Sequence, residues 1–122
     1  MAKKILIVED DPVARQIMHA LLKSKYEVFV VGDAMAAVVQ ARNRQPDLVI
    51  LDLGLPAGGG FTVLQRLKAM PALSMIPVLV VSGMDAATNR KKAIDAGADD
   101  FMQKPAPDDQ LLAKIEQLIG AA

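Results

Sequence analysis

Acidic residues are grouped directly after the first apolar run of the chain. Glu9, Asp10 and Asp11 follow the segment Ile5–Val8 without a break, and Pro12 comes next. Carboxylates repel one another, so this grouping is unfavourable unless a cation lies among them. Oxygen ligands without His or Cys suit a hard divalent cation, and Mg²⁺ typically takes one or two carboxylates, several waters and a phosphate oxygen. We therefore expect a Mg²⁺ site whose chemistry involves phosphate.

Three further polar side chains follow later apolar runs. Asp52 stands at the end of the third run, Ser82 at the end of the fourth and Lys104 just after the fifth. Taken singly, they read as a loop acid, a turn residue and a solvated lysine. Together with the first acids they supply the positioning and charge stabilisation that phosphoryl transfer needs. We expect Lys104 and Ser82 to hold phosphoryl oxygens, and Asp52 to be the nucleophile that forms an aspartyl phosphate.

The apolar runs that precede these residues are short and rich in β-branched side chains. Most are apolar continuously rather than alternately, as parallel strands covered on both faces are. We predict strands over Ile5–Val8, Val28–Val31, Leu48–Leu51, Val78–Val81 and Asp100–Gln103.

Segments with helical spacing lie between and after the predicted strands. Asp11 and Asp33 are the predicted N-caps of the first two helices, because Asp is favoured at that position. The fourth helix is predicted over Ala86–Ala96, with Gly97 ending it, and the fifth is predicted to open at Pro107.

Regular alternation of strands and helices indicates an α/β fold. We predict a five-stranded parallel sheet of order 2-1-3-4-5, doubly wound and flavodoxin-like, (βα)5, with helices on both faces. Ligands of such sheets bind outside the carboxyl ends of the strands, at the switch point between strands one and three. Asp10 and Asp52 should therefore meet there, with Glu9 close by.

Length, charge balance and cysteine content narrow the range of possible functions. The chain has 122 residues, which suits one domain over 1–122, and its 14 basic and 14 acidic residues cancel. A nonspecific nucleic-acid binder usually carries a basic surplus, so direct nucleic-acid binding is not expected. The absence of cysteine fits a reducing cytoplasm, and no apolar run is long enough for membrane insertion.

The segments "ILIVEDDP", "DLVILDLGLP", "IPVLVVSG" and "AGADDFMQKP" together resemble the receiver domain of two-component response regulators. The resemblance covers essentially the whole chain and is that of a single-domain, chemotaxis-regulator-like receiver. Since the last predicted helix ends near the last residue, the sequence does not distinguish a stand-alone regulator from part of a longer protein such as a hybrid kinase.

The resemblance implies a metal site and a phosphoryl acceptor. It makes Asp52 the phosphoacceptor and also a Mg²⁺ ligand. Asp10 becomes a direct ligand, the backbone carbonyl of Gly54 a further one, and Glu9 a ligand acting mostly through water.

The resemblance also implies a switch. Ser82 becomes the switch hydroxyl, Lys104 the phosphoryl-binding lysine and Phe101 the switch aromatic. The lysine is followed in such domains by a cis-proline, which Pro105 matches, and Gly83 would leave room for the phosphoryl group.

The implied function is signalling rather than enzymatic turnover. A sensor histidine kinase or histidine phosphotransfer protein would donate the phosphoryl group, and the domain would assist its own phosphorylation and dephosphorylation. The face formed by helix four, strand five and helix five would then change and contact an unknown downstream protein.

The sequence departs from the family pattern at positions that affect how long the acyl phosphate survives. Gly54 and Met84 stand two positions after Asp52 and Ser82, where receivers tune the access of water to the acyl phosphate. The segment "AGGG", residues 57–60, contains more glycine than usual, and only Gly60 falls where the family pattern has one.

Three other functions use a similar architecture. A haloacid-dehalogenase-type phosphatase also uses an Asp nucleophile and Mg²⁺, but needs a second acid where Gly54 stands. A flavodoxin-like cofactor module needs a donor-rich loop after strand one, and "EDDP" offers acids instead. A receiver that acts without phosphorylation, as an interaction domain only, would not need the acids, Ser82 and Lys104.

Overall fold

The computed structural model describes residues 2–56 and 59–120, which alternate regularly between strands and helices. The ten elements are β1 Lys4–Val8, α1 Pro12–Leu22, β2 Glu27–Val31, α2 Ala34–Arg44, β3 Leu48–Leu51, α3 Gly59–Ala69, β4 Val78–Ser82, α4 Ala86–Asp95, β5 Asp100–Gln103 and α5 Asp108–Ile119.

The strands form one parallel sheet in the order β2-β1-β3-β4-β5. This order and the helices on both faces confirm the predicted fold class. The strand limits agree with the predicted ones to within one residue, because β1, β3 and β4 are buried on both faces and are apolar along their whole length.

Two apolar clusters cover the two faces of the sheet. Successive residues of a strand point to opposite faces, so β1 sends Leu6 and Val8 to one cluster and Ile5 and Ile7 to the other. The first cluster is completed by buried residues of α2, α3 and α4, namely Ala37, Ala41, Val63, Leu64, Leu67 and Ala93. The second is completed by buried residues of α1 and α5, namely Leu22, Leu111 and Ile115.

The helix ends follow the predicted signals, with small differences. The Asp11 carboxylate accepts a hydrogen bond from the Val13 N–H (3.2 Å), and Asp33 caps α2 in the same way. Helix α4 ends at Asp95, one residue earlier than predicted, before Gly97 at a φ of 112°. Pro107 occupies the N-cap position of α5 instead of its first turn, since its ψ of 142° is not helical.

The start of α3 lies against the loop that follows β3. A Cβ on Gly60 would lie 2.4 Å from the Cα of Leu53, so only glycine allows this approach. Of the glycine-rich segment, Ala57 and Gly58 lie outside the described residues, whereas Gly59 is helical and buried. The helices of the described residues are all too short or too polar to cross a membrane.

Candidate functional site

Backbone hydrogen bonds continue past the ends of the strands and bring the predicted site residues to one edge of the sheet. The N–H of Asp52 donates to the Val8 carbonyl (3.0 Å), which places Asp52 beside the residue after β1. At the other side of the site, the N–H of Lys104 donates to the Ser82 carbonyl (2.8 Å). The switch point predicted between β1 and β3 is therefore the place where these residues meet.

Glu9, Asp10 and Asp52 form an acidic cluster. One carboxylate oxygen of each lies within 4.8 Å of the others. Glu9 and Asp52 are buried, with relative exposures of 3% and 9%, whereas Asp10 is exposed. Because these donors are all carboxylate oxygens and one side of the cluster is open to water, the set suits Mg²⁺, which keeps several waters in its coordination shell.

Lys104 supplies a positive charge to this cluster. Its ammonium contacts the Oε1 atom of Glu9 and lies 3.3 Å from the Oδ2 atom of Asp52. The Lys104 side chain is 30% exposed. Lys104 was expected to hold phosphoryl oxygens and Glu9 to act towards the metal, so their direct ion pair was not predicted.

Asp52 is held as a charged carboxylate. Burial pushes its pKa upwards, but the Gly54 N–H, Glu9 and Lys104 outweigh burial, and the pKa of Asp52 lies below the ordinary value. The N–H of Gly54 donates to the Asp52 Oδ1 atom at 2.9 Å. This backbone donor was also missed, because the sequence gives no sign of which way a loop N–H points.

Glu9 shows the opposite behaviour. Burial raises the pKa of Glu9, and the neighbouring Asp52 raises it too, while Lys104 acts against both. The two neighbouring carboxylates therefore differ in the direction of their pKa shifts, upwards for Glu9 and downwards for Asp52.

Ser82 and Phe101 lie next to this cluster in the sheet. Ser82 is fully buried, and its hydroxyl accepts a hydrogen bond from the Met84 N–H (3.2 Å). Phe101 is 3% exposed and belongs to the apolar cluster under α4. The switch roles of both residues stay predictions.

The two remaining predictions concern the loops around Ser82 and Lys104. The peptide bond between Lys104 and Pro105 is cis, as predicted. A Cβ added to Gly83 would meet no atom of the described residues within 4 Å, so there is open space beside this residue.

A second charged cluster lies on β5 and was not predicted. Asp100 accepts from Arg90 of α4 (3.0 Å) and from Lys114 of α5 (2.6 Å), which ties both helices to the strand. Burial pushes the pKa of Asp100 upwards, but Lys114, the Phe101 N–H and Arg90 outweigh it and lower the pKa. The residues come from three separate elements, so no local sequence pattern reveals the cluster.

The chain is similar to proteins of known family. A family model described as the response regulator receiver domain matches residues 5–116. The chain is 34% identical over 119 residues to response regulator PleD of Caulobacter vibrioides, a match that covers 97% of this chain and 26% of PleD. The chain thus spans about a quarter of that relative's length.

Solved structures show the same likeness. The receiver domain of sensor histidine kinase PA1611 from Pseudomonas aeruginosa, which has a magnesium ion coordinated in its active-site cleft, is 27% identical with a TM-score of 0.89, and the match covers 99% of this chain and 100% of that one. The phosphorylated cyanobacterial phytochrome response regulator RcpA is 30% identical with a TM-score of 0.83, covering 98% and 94%. Fold, acidic cluster and family match agree, and the chain belongs to the receiver domains of response regulators.

Proposed function

We propose that this receiver accepts a phosphoryl group on Asp52 from a phosphohistidine of a sensor histidine kinase or histidine phosphotransfer protein. The observation that carries the proposal is the surroundings of the Asp52 carboxylate: the Lys104 ammonium lies 3.3 Å from its Oδ2 atom, and carboxylate oxygens of Glu9 and Asp10 lie within 4.8 Å. A phosphoryl group at Asp52 would have two cations available, the Lys104 ammonium and a metal ion held by the acidic cluster. Phosphoryl transfer depends mainly on such charge stabilisation.

The residues of the acidic cluster fit Mg²⁺. Asp10 and Asp52 would bind the ion directly, the carbonyl of Gly54 would add a ligand, and Glu9 would act through water. When bound, Mg²⁺ would neutralise negative charge on the phosphoryl oxygens. The magnesium ion in the cleft of the related PA1611 receiver supports this choice of metal.

The protein's own groups account for the transfer step. A carboxylate oxygen of Asp52 attacks phosphorus, the P–N bond of the phosphohistidine breaks, and its electron pair returns to the imidazole nitrogen. The new P–O bond makes an acyl phosphate. The Gly54 N–H keeps the carboxylate in orientation through Oδ1, and Lys104 exchanges part of its contact with Glu9 for a phosphoryl oxygen.

Signalling follows from the altered contacts around the phosphoryl group. The Ser82 hydroxyl would donate to a phosphoryl oxygen, Phe101 would change its packing, and the surface of α4, β5 and α5 would change with it. Such a switch is a population shift, driven by different contacts in the two states. Attack of water on the acyl phosphate would release inorganic phosphate and restore Asp52, so the domain assists both reactions without being an enzyme of metabolism.

The phosphatase alternative is not favoured by the site. That reaction needs a general acid two positions after Asp52, and Gly54 offers only its backbone there. We further propose that residues 1–122 act as one receiver domain and that it works in the cytoplasm, where the donor histidine would be available.

The direct test is phosphorylation by a small donor. Wild-type protein with acetyl phosphate and Mg²⁺ should gain one phosphoryl group that hydroxylamine removes, and Asp52→Asn should gain none. Asp33→Asn is the matched control, because Asn keeps the helix cap and Asp33 lies outside the site. Equal labelling of Asp52→Asn and wild type would remove Asp52 from the mechanism.

A further inference from the structure

Helix α4 begins without a cap from its own preceding residue. Asp85 stands at the N-cap position, but its carboxylate accepts from the Thr88 hydroxyl (2.8 Å) and from none of the backbone N–H groups of the first turn. The N–H of Ala86 donates instead to the Oε1 atom of Gln103 at 3.0 Å. The cap of α4 is therefore supplied by a residue of β5.

The alternation of β5 explains why Gln103 can reach α4. Phe101 belongs to the apolar cluster that also contains Ala93 of α4, whereas Met102 packs against the cluster that contains Leu111 of α5. Because side chains alternate along a strand, Gln103 lies on the same face as Phe101 and beside the start of α4. Gln103 is the last residue of β5 and directly precedes Lys104 in the chain.

Gln103, the last residue of β5, and Lys104, which follows it, thus hold both ends of the loop between β4 and α4. The Lys104 N–H bonds the carbonyl of Ser82, where the loop starts, and the Gln103 side chain bonds the N–H of Ala86, where it ends. Within the loop, the Met84 N–H donates to the Ser82 hydroxyl. That hydroxyl keeps its own proton, which is free to donate to a phosphoryl oxygen.

Helix α4 is held against β5 largely by hydrogen bonds. Ala93 is the buried residue of this helix, so its apolar anchoring is small. Arg90, one turn after Ala86, donates to the Phe101 carbonyl at 2.9 Å and to the Asp100 carboxylate. With little apolar burial to hold the helix, the bond at its first residue has a large influence on where the preceding loop lies.

We propose that Gln103 is a positioning residue for Ser82. It caps α4 from β5, fixes the loop of residues 83–85 and so directs the Ser82 hydroxyl towards the phosphoryl group on Asp52. The proposal rests on the proposed function and adds to it a residue outside the acid, hydroxyl and lysine set.

The test is a double-mutant cycle on the initial rate of phosphorylation by acetyl phosphate at saturating Mg²⁺. Gln103→Leu removes the acceptor, and Gln103→Glu retains an oxygen at the same reach. Each is measured with Ser82 intact and in a Ser82→Ala background. Gln117→Leu is the matched control, because Gln117 is an exposed glutamine of α5 whose side chain accepts from Lys114. Gln103→Asn, whose side chain is one methylene shorter, is a second variant that loses the cap. The urea-unfolding midpoint shows that each variant is folded.

We expect Gln103→Leu and Gln103→Asn to lower the rate about three- to tenfold, the range of one neutral hydrogen bond. Gln103→Glu and Gln117→Leu should stay close to wild type. In the Ser82→Ala background the effect of Gln103→Leu should vanish, since its influence acts through the hydroxyl.

Three results would overturn the proposal: an unchanged rate in Gln103→Leu, failure of Gln103→Glu to retain the rate, or an equal loss with and without Ser82. If the wild type is labelled on Asp52 and one of these results is found, only the role of Gln103 fails. If the wild type takes up no phosphoryl group, the proposed function fails, and the role of Gln103 fails with it.

Discussion

The Lys104 ammonium lies 3.3 Å from the Oδ2 atom of Asp52, and the same ammonium contacts Glu9. One lysine thus balances two buried carboxylates that would otherwise repel each other. In the proposed function the same charges are shared with Mg²⁺ and with the phosphoryl group, so the lysine has a different partner at each stage.

Removal of the lysine charge should separate metal binding from phosphorylation. Lys104→Ala is expected to keep Mg²⁺ binding and to bind the ion more tightly than wild type, because a positive charge beside the acidic cluster is removed. Its phosphorylation by acetyl phosphate and its signalling should fall strongly. Isothermal titration calorimetry and labelling measure the two effects, with Lys91→Ala on the exposed side of α4 as control. Full phosphorylation of Lys104→Ala would contradict the role of the lysine.

The acids after β1 should differ in function although they are adjacent. Asp10→Asn is expected to weaken Mg²⁺ binding by about tenfold or more, the loss that even an outer-shell change at a metal site can cause. Asp11→Asn should bind Mg²⁺ almost as wild type, because Asp11 caps α1 and Asn caps equally well. Calorimetric titration of both variants with Mg²⁺ measures the difference. Equal Mg²⁺ affinities of the two variants would show that Asp10 is not a metal ligand.

The sequence predicted which residues reach the site, but only part of their contacts. Asp52 and Lys104 are placed by strand order, which follows from alternation of strands and helices and needs no side-chain detail. The Glu9 to Lys104 ion pair and the Gly54 N–H depend on rotamers and on the path of a loop. Such features arise only when the chain is folded, and no local pattern encodes them.

The close approach at Gly60 should make this position intolerant of a side chain. Gly60→Ala gains up to about 1 kcal/mol of helix propensity. We expect the clash of its Cβ with the Leu53 backbone to cost about 1–3 kcal/mol and to exceed that gain. Gly83→Ala should change the free energy of unfolding by less than about 0.5 kcal/mol, since its Cβ would enter open space. Urea unfolding of both variants measures the difference, and equal stabilities would show that the loop after β3 adapts freely.

The charged cluster on β5 should contribute stability that acid removes. The pKa of Asp100 is lowered on folding, so its contribution is fully present above the unfolded aspartate pKa of about 3.9 and is lost as pH falls through the lower folded pKa. Asp100→Asn should therefore be about 1 kcal/mol less stable than wild type at pH 7, and the two should converge as pH falls through the folded pKa of Asp100. Urea unfolding across this pH range tests the effect, and a gap independent of pH would contradict the role of charge.

The predicted fold was accurate where burial is continuous and less accurate at helix ends. The apolar runs of β1 and β3 leave little freedom in strand limits. At α5, Pro107 was placed in the first turn by a general preference, but its extended ψ puts it before the helix. At α4 the cap comes from Gln103 rather than from Asp85, and a cap supplied by another strand cannot be read from adjacent residues.

Reductive trapping is the most direct test that Asp52 carries the phosphoryl group. Borohydride converts an aspartyl phosphate to homoserine, which peptide mass spectrometry locates in protein treated with acetyl phosphate and Mg²⁺. The assignment of Asp52 predicts homoserine at position 52 and leaves Glu9 and Asp10 unreduced. Trapping at one of those two acids, or a labelled protein with intact aspartate at position 52, would contradict it.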